Sequence, residues 1–299
     1  MRDAAEIKQY VLNQLENAEI QDDPYPHFII DGLLPEDFYQ ELISHLPDRA
    51  DYQKVTYPGT GHDPETGNYH DYGWAYRDLS KNTHLAIVGD IFGSDEFSRL
   101  MLDKFSAAAP GRKMGIPEKK HKFFKDGAED FTSVYDHQID LPGYEIAPHR
   151  DIEGKIVTYL FYMTADDSLE RYGTYLCKPH SDNPSRSGWE KFVGRFLSKL
   201  FRYTGMRNSK LFKRMEHSRF GLKYGIGASV NWLPWEKFDL SAQAPALPNH
   251  LLSFAPNEHS YHAVRLDIPA DNPSQERPMV RGFIRDGKDT SNWIRSAKI

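Results

Sequence analysis

The chain has 299 residues, a single cysteine (Cys177) and a formal net charge of −6. The lone cysteine excludes an internal disulfide framework and is typical of a reducing compartment. No apolar run approaches the roughly 18 residues that a membrane-spanning helix needs, and the mild acidity argues against nucleic acid as the default partner. Because the N-terminal sequence also lacks the apolar core of a secretory signal, we predict a cytoplasmic protein with no membrane partner.

The first third of the chain is predicted to be mostly helical. The spacing of apolar residues predicts helices over residues 3–18, 34–47, 83–92 and 95–108. A short strand is predicted over residues 26–31. A loop is predicted over residues 50–78, where Gly, Pro, Asp, His and Tyr occur without a period.

From about residue 120 the pattern changes to short runs rich in β-branched and aromatic residues. Extended segments are predicted over 131–151, 155–163 and 171–179, and then in GIGASVNWL, NHLLSFAP, SYHAVRLDI and RPMVRGFIR. Many short strands joined by turn residues are typical of a sandwich or a jelly-roll barrel.

A basic segment interrupts these strands. Residues 185–224 contain 11 Lys and Arg residues but only two Glu residues. Apolar residues at helical spacing predict an amphipathic helix in this segment; they are Trp189, Phe192, Val193, Phe196, Leu197, Leu200 and Phe201. The simpler interpretation is a solvated basic face over a stripe that packs on the core. The alternative is a lid or docking surface for an anionic substrate or an acidic partner.

The sequence His149-Arg150-Asp151 gives the clearest indication of chemistry. Side chains alternate along an extended segment, so His149 and Asp151 lie on the same side. One further imidazole would complete a set of two histidines and one carboxylate, which leaves positions open on Fe(II) for a cosubstrate and dioxygen. A second His-x-Asp sequence begins at His180, but the turn-rich segment after it offers no strand to hold a ligand.

Three downstream histidines could complete this set. His262 lies inside the alternating run SYHAVRLDI, whereas His259 lies at its beginning and His250 precedes another run. A position within a strand favours His262, with His259 as the alternative.

Two arginines belong to the last predicted strand. The spacing of four between Arg277 and Arg281 places both on one face. A guanidinium there could hold the carboxylate of a cosubstrate through paired, charge-assisted hydrogen bonds. An ordinary surface arginine would fit the same pattern.

Taken together, these segments resemble a known family. PGYEIAPHRD, KIVTYLFYM, YGTYLCKP, PNHLLSFAP, SYHAV and ERPMVRGFI look like the Fe(II)/2-oxoglutarate-dependent oxygenase superfamily, in its prolyl-4-hydroxylase-like branch. YPHFIIDGLLPEDFYQELISHLP resembles the entry segment of that branch. The resemblance covers about residues 24–47 and 131–285.

The resemblance implies a mainly β fold with flanking helices, built on a double-stranded β-helix (jelly-roll) core. It implies one oxygenase domain over residues 1–299. Residues 1–118 would form a mostly helical support with the loop at the mouth, and residues 119–290 would form the jelly roll with the basic helical insertion.

The resemblance also implies ligands and cofactors. By match to the family's motif, His149, Asp151 and His262 would bind Fe(II). Arg277, six residues before Phe283, would bind the distal carboxylate of 2-oxoglutarate, with Arg281 as the alternative.

The implied activity is that of a 2-oxoglutarate-dependent dioxygenase. It would use O2 to hydroxylate a C–H bond and would release succinate and CO2. The branch resemblance itself slightly favours a peptidyl substrate, but the long, aromatic loop over residues 50–78 is unlike a flat peptide groove and favours a small molecule, anionic or carrier-bound. The alternatives are a peptidyl (prolyl-type) hydroxylase, a cupin-like metal protein without oxygenase activity, and a metal-free binding module. Retention of Asp151 argues for oxygen transfer over halogenation.

One departure from the family concerns the cosubstrate. Asp140 stands nine residues before His149, where the family often has a tyrosine that donates a hydrogen bond to the cosubstrate. Tyr159 and Tyr175 are the candidate substitutes for that donor.

Overall fold

Two antiparallel sheets and a set of flanking helices make up the described part of the chain. The computed structural model describes residues 2–55, 73–107, 123, 130–151, 154–180, 187–206, 209, 211–212, 215, 218–226, 232–267 and 276–287. Statements below about what is present or absent concern these residues.

Helices lie mainly in the N-terminal third and in the basic insertion. They are α1 (Ala4–Asn17), α2 (Glu36–Ser44), α3 (Thr83–Phe92), α4 (Asp95–Ala107), α5 (Gly188–Tyr203) and α6 (Arg219–Tyr224). Side-chain caps explain where several begin: Asp3 caps α1, Asn82 caps α3, and Ser187 forms a capping box with Glu190 on α5.

The strands form a seven-stranded and a four-stranded sheet. They are β1 (His27–Asp31), β2 (Gln53–Val55), β3 (Gly73–Tyr76), β4 (Phe131–Asp140), β5 (Glu145–His149), β6 (Lys155–Tyr162), β7 (Thr174–Pro179), β8 (Phe238–Ala244), β9 (His250–Phe254), β10 (Tyr261–Arg265) and β11 (Arg277–Asp286). The larger sheet has the order β1-β9-β6-β11-β4-β3-β2 and the smaller one the order β5-β10-β7-β8.

This strand order is that of a jelly roll. The core strands β4, β11, β6 and β9 of the larger sheet face β5, β10, β7 and β8 of the smaller one, and all described pairings are antiparallel. Strands β1, β3 and β2 extend the larger sheet at its edges. The predicted fold class, a jelly-roll core with flanking helices, is therefore confirmed.

Both faces of the larger sheet are buried, which explains the continuous apolar run of β6. Tyr159 and Phe161 face the helical layer and belong to one apolar cluster with residues of α1 to α4. Leu160 and Tyr162 face the smaller sheet and belong to a second cluster between the two sheets. Alternation along a strand that is covered on both sides gives this pattern.

The prediction of a loop over residues 50–78 is wrong for the residues that form β2 and β3. Both strands are too short to show a period in the sequence, and pairing creates them: β3 adds to the edge of β4, and β2 adds to β3. Residues 56–72 of the predicted loop lie outside the described residues.

Two further strand predictions need correction. The segment predicted from residue 171 becomes a strand only at Thr174, because Asp167–Tyr172 is a 3-10 helix capped by Asp166. Strand β8 was not predicted, since its sequence FDLSAQA contains no β-branched residue. Most of the run GIGASVNWL lies outside the described residues.

The insertion is helical, as predicted, but its apolar stripe does not pack on the core. Trp189, Phe192 and Phe196 of α5 are exposed. The helix packs on its neighbours through the face that carries Gly194, which is buried against the carbonyl group of Tyr224.

The predicted division of the domain at residues 118 and 119 falls outside the described residues. The single domain over residues 1–299 therefore stays a prediction.

A buried histidine on β4 generates a prediction about acid stability. His137 is fully buried and contacts the Tyr52 hydroxyl through Nδ1 at 3.0 Å. Burial, and then the nearby Arg49 charge, lower the pKa of His137 to about 3. The imidazole therefore stays neutral in the folded protein while it takes up a proton in the unfolded chain below about pH 6.5.

Stability should consequently fall as the pH drops from 7 to 5. We expect the wild type to lose about 2 kcal/mol more free energy of unfolding over this interval than His137→Gln, which cannot titrate. Urea unfolding at both pH values measures the difference. Equal losses in the two proteins would contradict the assignment of His137 as a neutral buried group.

Candidate metal centre

The pairing of β5 with β10 brings two histidines together. His149 at the end of β5 lies directly opposite His262 on β10, and the two ring centroids are 4.3 Å apart. The register shifts between His262 and Val264, and an irregularity of this kind re-aims side chains at a strand end. Asp151 follows two residues after His149. One ligand atom from each of the three residues lies within 4.8 Å of the others.

Both imidazoles are oriented by their own backbone. His149 Nδ1 lies 3.0 Å from the carbonyl oxygen of Ala147, and His262 Nδ1 lies 3.2 Å from that of Ser260. A carbonyl oxygen can only accept a hydrogen bond, so each Nδ1 carries the hydrogen and each Nε2 keeps a free lone pair. This arrangement prepares a histidine to bind a metal.

The carboxylate of Asp151 is held at both oxygens by residues of β6. Thr158 Oγ1 donates to Oδ2 at 2.6 Å, and the ammonium group of Lys155 donates to Oδ1. Lys155 Nζ also lies 3.6 Å from the ring centroid of Phe283. A carboxylate has about four acceptor positions on its two oxygens, so these bonds leave room for a metal bond.

The protonation states suit a cation. Burial and the neighbouring His262 lower the pKa of His149 to about 3, and burial also lowers the pKa of His262. Burial acts to raise the pKa of Asp151, but the opposing contributions, of which the Lys155 ammonium group makes the largest, leave that pKa below its usual value. At neutral pH the centre therefore consists of two neutral imidazoles and one carboxylate.

This donor set fits ferrous iron. Two imidazole nitrogens and one carboxylate oxygen on one side of a metal form the facial arrangement of non-haem Fe(II) oxygenases, which leaves the other positions open. Among the described residues no other group of three His, Cys, Asp or Glu side chains converges in this way.

The alternative histidines lie elsewhere. His259 is exposed, and its Nε2 lies 3.4 Å from a carboxylate oxygen of Glu258. His250 pairs with Asp31 at 3.5 Å and with the carbonyl group of Pro248 at 2.9 Å. Neither is part of the convergent group.

The guanidinium group of Arg277 already has protein partners. Arg277 and Asp140 are directly opposed on β11 and β4 and are both fully buried. Nε and Nη2 donate to Asp140 Oδ2 at 3.2 and 2.5 Å, and Nη1 donates to the carbonyl oxygen of Tyr172 at 2.7 Å. Asp140 thus pairs with the arginine that the sequence suggested as the cosubstrate anchor.

Arg281 forms a second cross-strand pair closer to the metal ligands. It opposes Asp136 of β4 in the register, and its Nη2 lies 3.4 Å from Asp136 Oδ2 in a partly exposed setting. Its guanidinium also lies 5.6 Å from the ring centroid of Phe283, the ring that Lys155 also contacts.

Neither tyrosine considered as a hydrogen-bond donor to the cosubstrate points toward the centre. Tyr159 packs against Phe92 and Phe97 on the helical side of the sheet. Tyr175 belongs to a separate cluster and contacts Trp235. Both predictions are wrong. Side chains alternate along a strand, so the residues that face the space between the sheets are those directly before and after Tyr159 on β6 and Tyr175 on β7.

Sequence reasoning missed Lys155 and Thr158 as partners of Asp151. These two residues stand four and seven positions after Asp151 in the sequence. That spacing does not predict a contact unless the turn that leads the chain back into β6 is known. The opposition of Asp140 and Asp136 to the two arginines was likewise invisible without the register of β4 and β11.

Among known proteins, similarity to this chain was found only in solved structures. No sequence-family model and no curated protein matches the chain. A prolyl hydroxylase from Trichoplax adhaerens, in complex with a peptide of the hypoxia-inducible factor, is 10% identical, with a TM-score of 0.42; the match covers 94% of this chain and 90% of that chain.

Two bacterial structures give similar values. A Pseudomonas putida prolyl-4-hydroxylase is 10% identical, with a TM-score of 0.38 and coverage of 93% of this chain and 98% of that chain. HygX from Streptomyces hygroscopicus, with nickel and 2-oxoglutarate bound, is 13% identical, with a TM-score of 0.39 and coverage of 87% and 82%. At such TM-scores the likeness carries no argument about function, which therefore rests on the site itself.

Proposed function

We propose that the protein is an Fe(II)- and 2-oxoglutarate-dependent oxygenase that hydroxylates a C–H bond of a small molecule. The observation that carries the proposal is the convergence of His149, Asp151 and His262 between the sheets of a jelly roll. When bound there, ferrous iron with 2-oxoglutarate and dioxygen supplies the oxidising chemistry that releases succinate and CO2. The two Nε2 atoms and the carboxylate would hold the metal.

Lys155 and Thr158 are assigned a positioning role. Because they bond to different oxygens of Asp151, they prevent the carboxylate from rotating away from the two imidazoles. The Lys155 charge also keeps Asp151 ionised, as a metal ligand must be. Partners of this kind orient a ligand and tune its affinity for the metal.

Apolar residues exclude water from the interior side of the centre. The ring of Phe254 lies 4.8 Å from that of His262, and Phe254 belongs to the buried cluster between the sheets together with Leu160, Leu252 and Met279. A dry wall beside the reacting centre protects reactive species from unwanted proton transfer and hydrolysis.

Arg281 is the better candidate for the anchor of the cosubstrate carboxylate. Thr158, which bonds to Asp151, pairs with Phe283 of β11. Arg281 lies two residues from Phe283, a strand rise of about 7 Å, whereas Arg277 lies six residues away, about 20 Å. A short dicarboxylate bound at the metal reaches the nearer position more readily.

The bonding of the two arginines supports the same assignment. Arg277 would have to give up its bonds to Asp140 in a fully buried setting before it could bind another carboxylate, and breaking a buried pair is costly. Arg281 has a longer, partly exposed contact with Asp136 that a bound carboxylate could replace at lower cost. Arg277 then has a structural role.

Substitution of the two arginines should separate these roles. Arg281→Gln should weaken the apparent affinity for 2-oxoglutarate about 10- to 100-fold, because a charge-assisted bidentate contact is lost. Arg277→Gln should leave this affinity nearly unchanged but lower the free energy of unfolding by about 3–5 kcal/mol, because Asp140 keeps a buried, unpaired charge.

Titration of 2-oxoglutarate into the anaerobic Fe(II) protein, followed by visible absorption, measures the affinity, and urea unfolding measures the stability. Arg277→Met combined with Asp140→Leu is the matched control, because it removes both buried charges together. If Arg277→Gln alone abolished cosubstrate binding in a folded protein, Arg277 would be the anchor.

A succinate-release assay tests the activity and the substrate class. We expect Fe(II), 2-oxoglutarate and O2 to support slow succinate release, and a member of a small-molecule panel to stimulate it. Proline-containing peptides should give no stimulation. His149→Ala should abolish release, because the metal loses one of its three protein ligands.

The remaining outcomes distinguish the alternatives. Stimulation by peptides only would assign a peptidyl hydroxylase. Metal binding without any succinate release would contradict the proposed activity and assign a metal protein without oxygenase function.

A further inference from the structure

Helix α5 exposes a continuous apolar stripe. Its residues recur every three or four positions and therefore lie on one face of the helix. The exposed fractions are 67% for Trp189, 60% for Phe192, 56% for Phe196, 45% for Leu200 and 86% for Tyr203. Single exposed apolar residues are ordinary in proteins. Five large ones in one row indicate a surface that binds another molecule or a membrane.

The helix cannot turn this stripe inward. Gly194, on the opposite face, is packed so closely against the Tyr224 carbonyl group at the end of α6 that no side chain would fit there. The ring of Phe201 contacts that of Phe212 in a tilted arrangement, at a centroid distance of 4.9 Å. The back of α5 is thereby fixed to the rest of the insertion, and the apolar stripe faces outward.

A row of cations borders the stripe. Lys191, Arg195, Lys199 and Arg202 lie on one side of it and are all exposed. Within the part of the chain that the structure describes, none of the four forms an ion pair. Glu190, the single acidic residue of α5, bonds to Ser187 and lies 4.0 Å from Lys237.

We propose that α5 lies in the plane of an anionic lipid surface. The aromatic and leucine side chains would enter the boundary between headgroups and acyl chains, and the bordering cations would meet the lipid phosphates. A helix with Lys and Arg on one side and Trp, Phe and Leu on the other has this property. None of the described helices combines the length and apolarity required to cross a bilayer.

The packing of α5 favours a flat lipid surface over a protein as the binding partner. A protein groove that binds an amphipathic helix receives its apolar face, but α5 is held at Gly194 against α6 and cannot leave the insertion to enter a deep groove. A planar lipid surface needs only the free face. A second copy of the chain would bring another basic helix next to this one, and the like charges would repel.

Vesicle binding tests this proposal on the full chain. We expect the protein to sediment with vesicles of equimolar phosphatidylcholine and phosphatidylglycerol but not with phosphatidylcholine alone. The emission of Trp189, isolated as the difference from Trp189→Phe, should shift to the blue as the indole leaves water. High salt should weaken the binding, since it screens the charges.

Two triple variants separate the contribution of the positive charges from that of the apolar side chains that enter the lipid. Lys191→Gln with Arg195→Gln and Lys199→Gln should lower the partition coefficient about a hundredfold at low salt. Phe192→Ser with Phe196→Ser and Leu200→Ser should lower it at least about tenfold, because the apolar area that enters the lipid is lost. All six positions are exposed, so circular dichroism should show folded proteins.

The matched control carries the same change in net charge at other exposed positions. Arg2→Gln with Lys81→Gln and Lys178→Gln should bind vesicles like the wild type. Loss of binding in this control, or wild-type binding by the serine variant, would reduce the effect to general electrostatic attraction and overturn the proposal. So would binding that does not depend on the anionic lipid, or a concentration-dependent dimer that the serine variant abolishes.

Discussion

The antiparallel pairing of β5 with β10 is the constraint on which the proposed chemistry depends. It places His149 opposite His262, and each imidazole bonds through Nδ1 to the backbone carbonyl group two residues earlier on its own chain segment. The direction of each ring is therefore set by the backbone of its own segment, at the end of β5 and at the start of β10. Asp151 lies just beyond β5 and needs separate support, which Lys155 and Thr158 of the larger sheet provide. The centre thus joins the two sheets of the jelly roll.

Charged residues inside the barrel are tolerated because the register pairs them. Arg277 faces Asp140, and Arg281 faces Asp136, across the same two strands. The first pair is fully buried and all its described bonds are internal, so it joins β4 to β11 as a structural element. The second pair is longer and partly exposed and lies near Phe283. In the proposed assignment, the buried Arg277 has a structural role and the partly exposed Arg281 binds the cosubstrate.

Much of the fold could be predicted because its strands have strong local patterns. The run of β6 and the alternating run around His262 predicted buried strands, and the spacing of His149 and Asp151 predicted that their side chains lie on one side. What could not be predicted depends on contacts distant in sequence. Strand β3 exists because it pairs with β4, and β2 exists because it pairs with β3. The role of Asp140 likewise follows from the register. Periodicity identified the apolar face of α5 correctly, but it could not reveal that Gly194 directs this face to the outside.

The central claim is that two imidazoles and one carboxylate bind a single ferrous ion. X-ray absorption at the iron edge of the anaerobic Fe(II)-loaded protein tests it most directly, with metal analysis of the same sample. The account predicts one iron per chain and two imidazole ligands, and it predicts that His262→Ala retains one imidazole and binds iron weakly. Iron that binds equally well in His149→Ala, Asp151→Ala and His262→Ala, or an iron environment without imidazole nitrogen, would contradict the assigned centre.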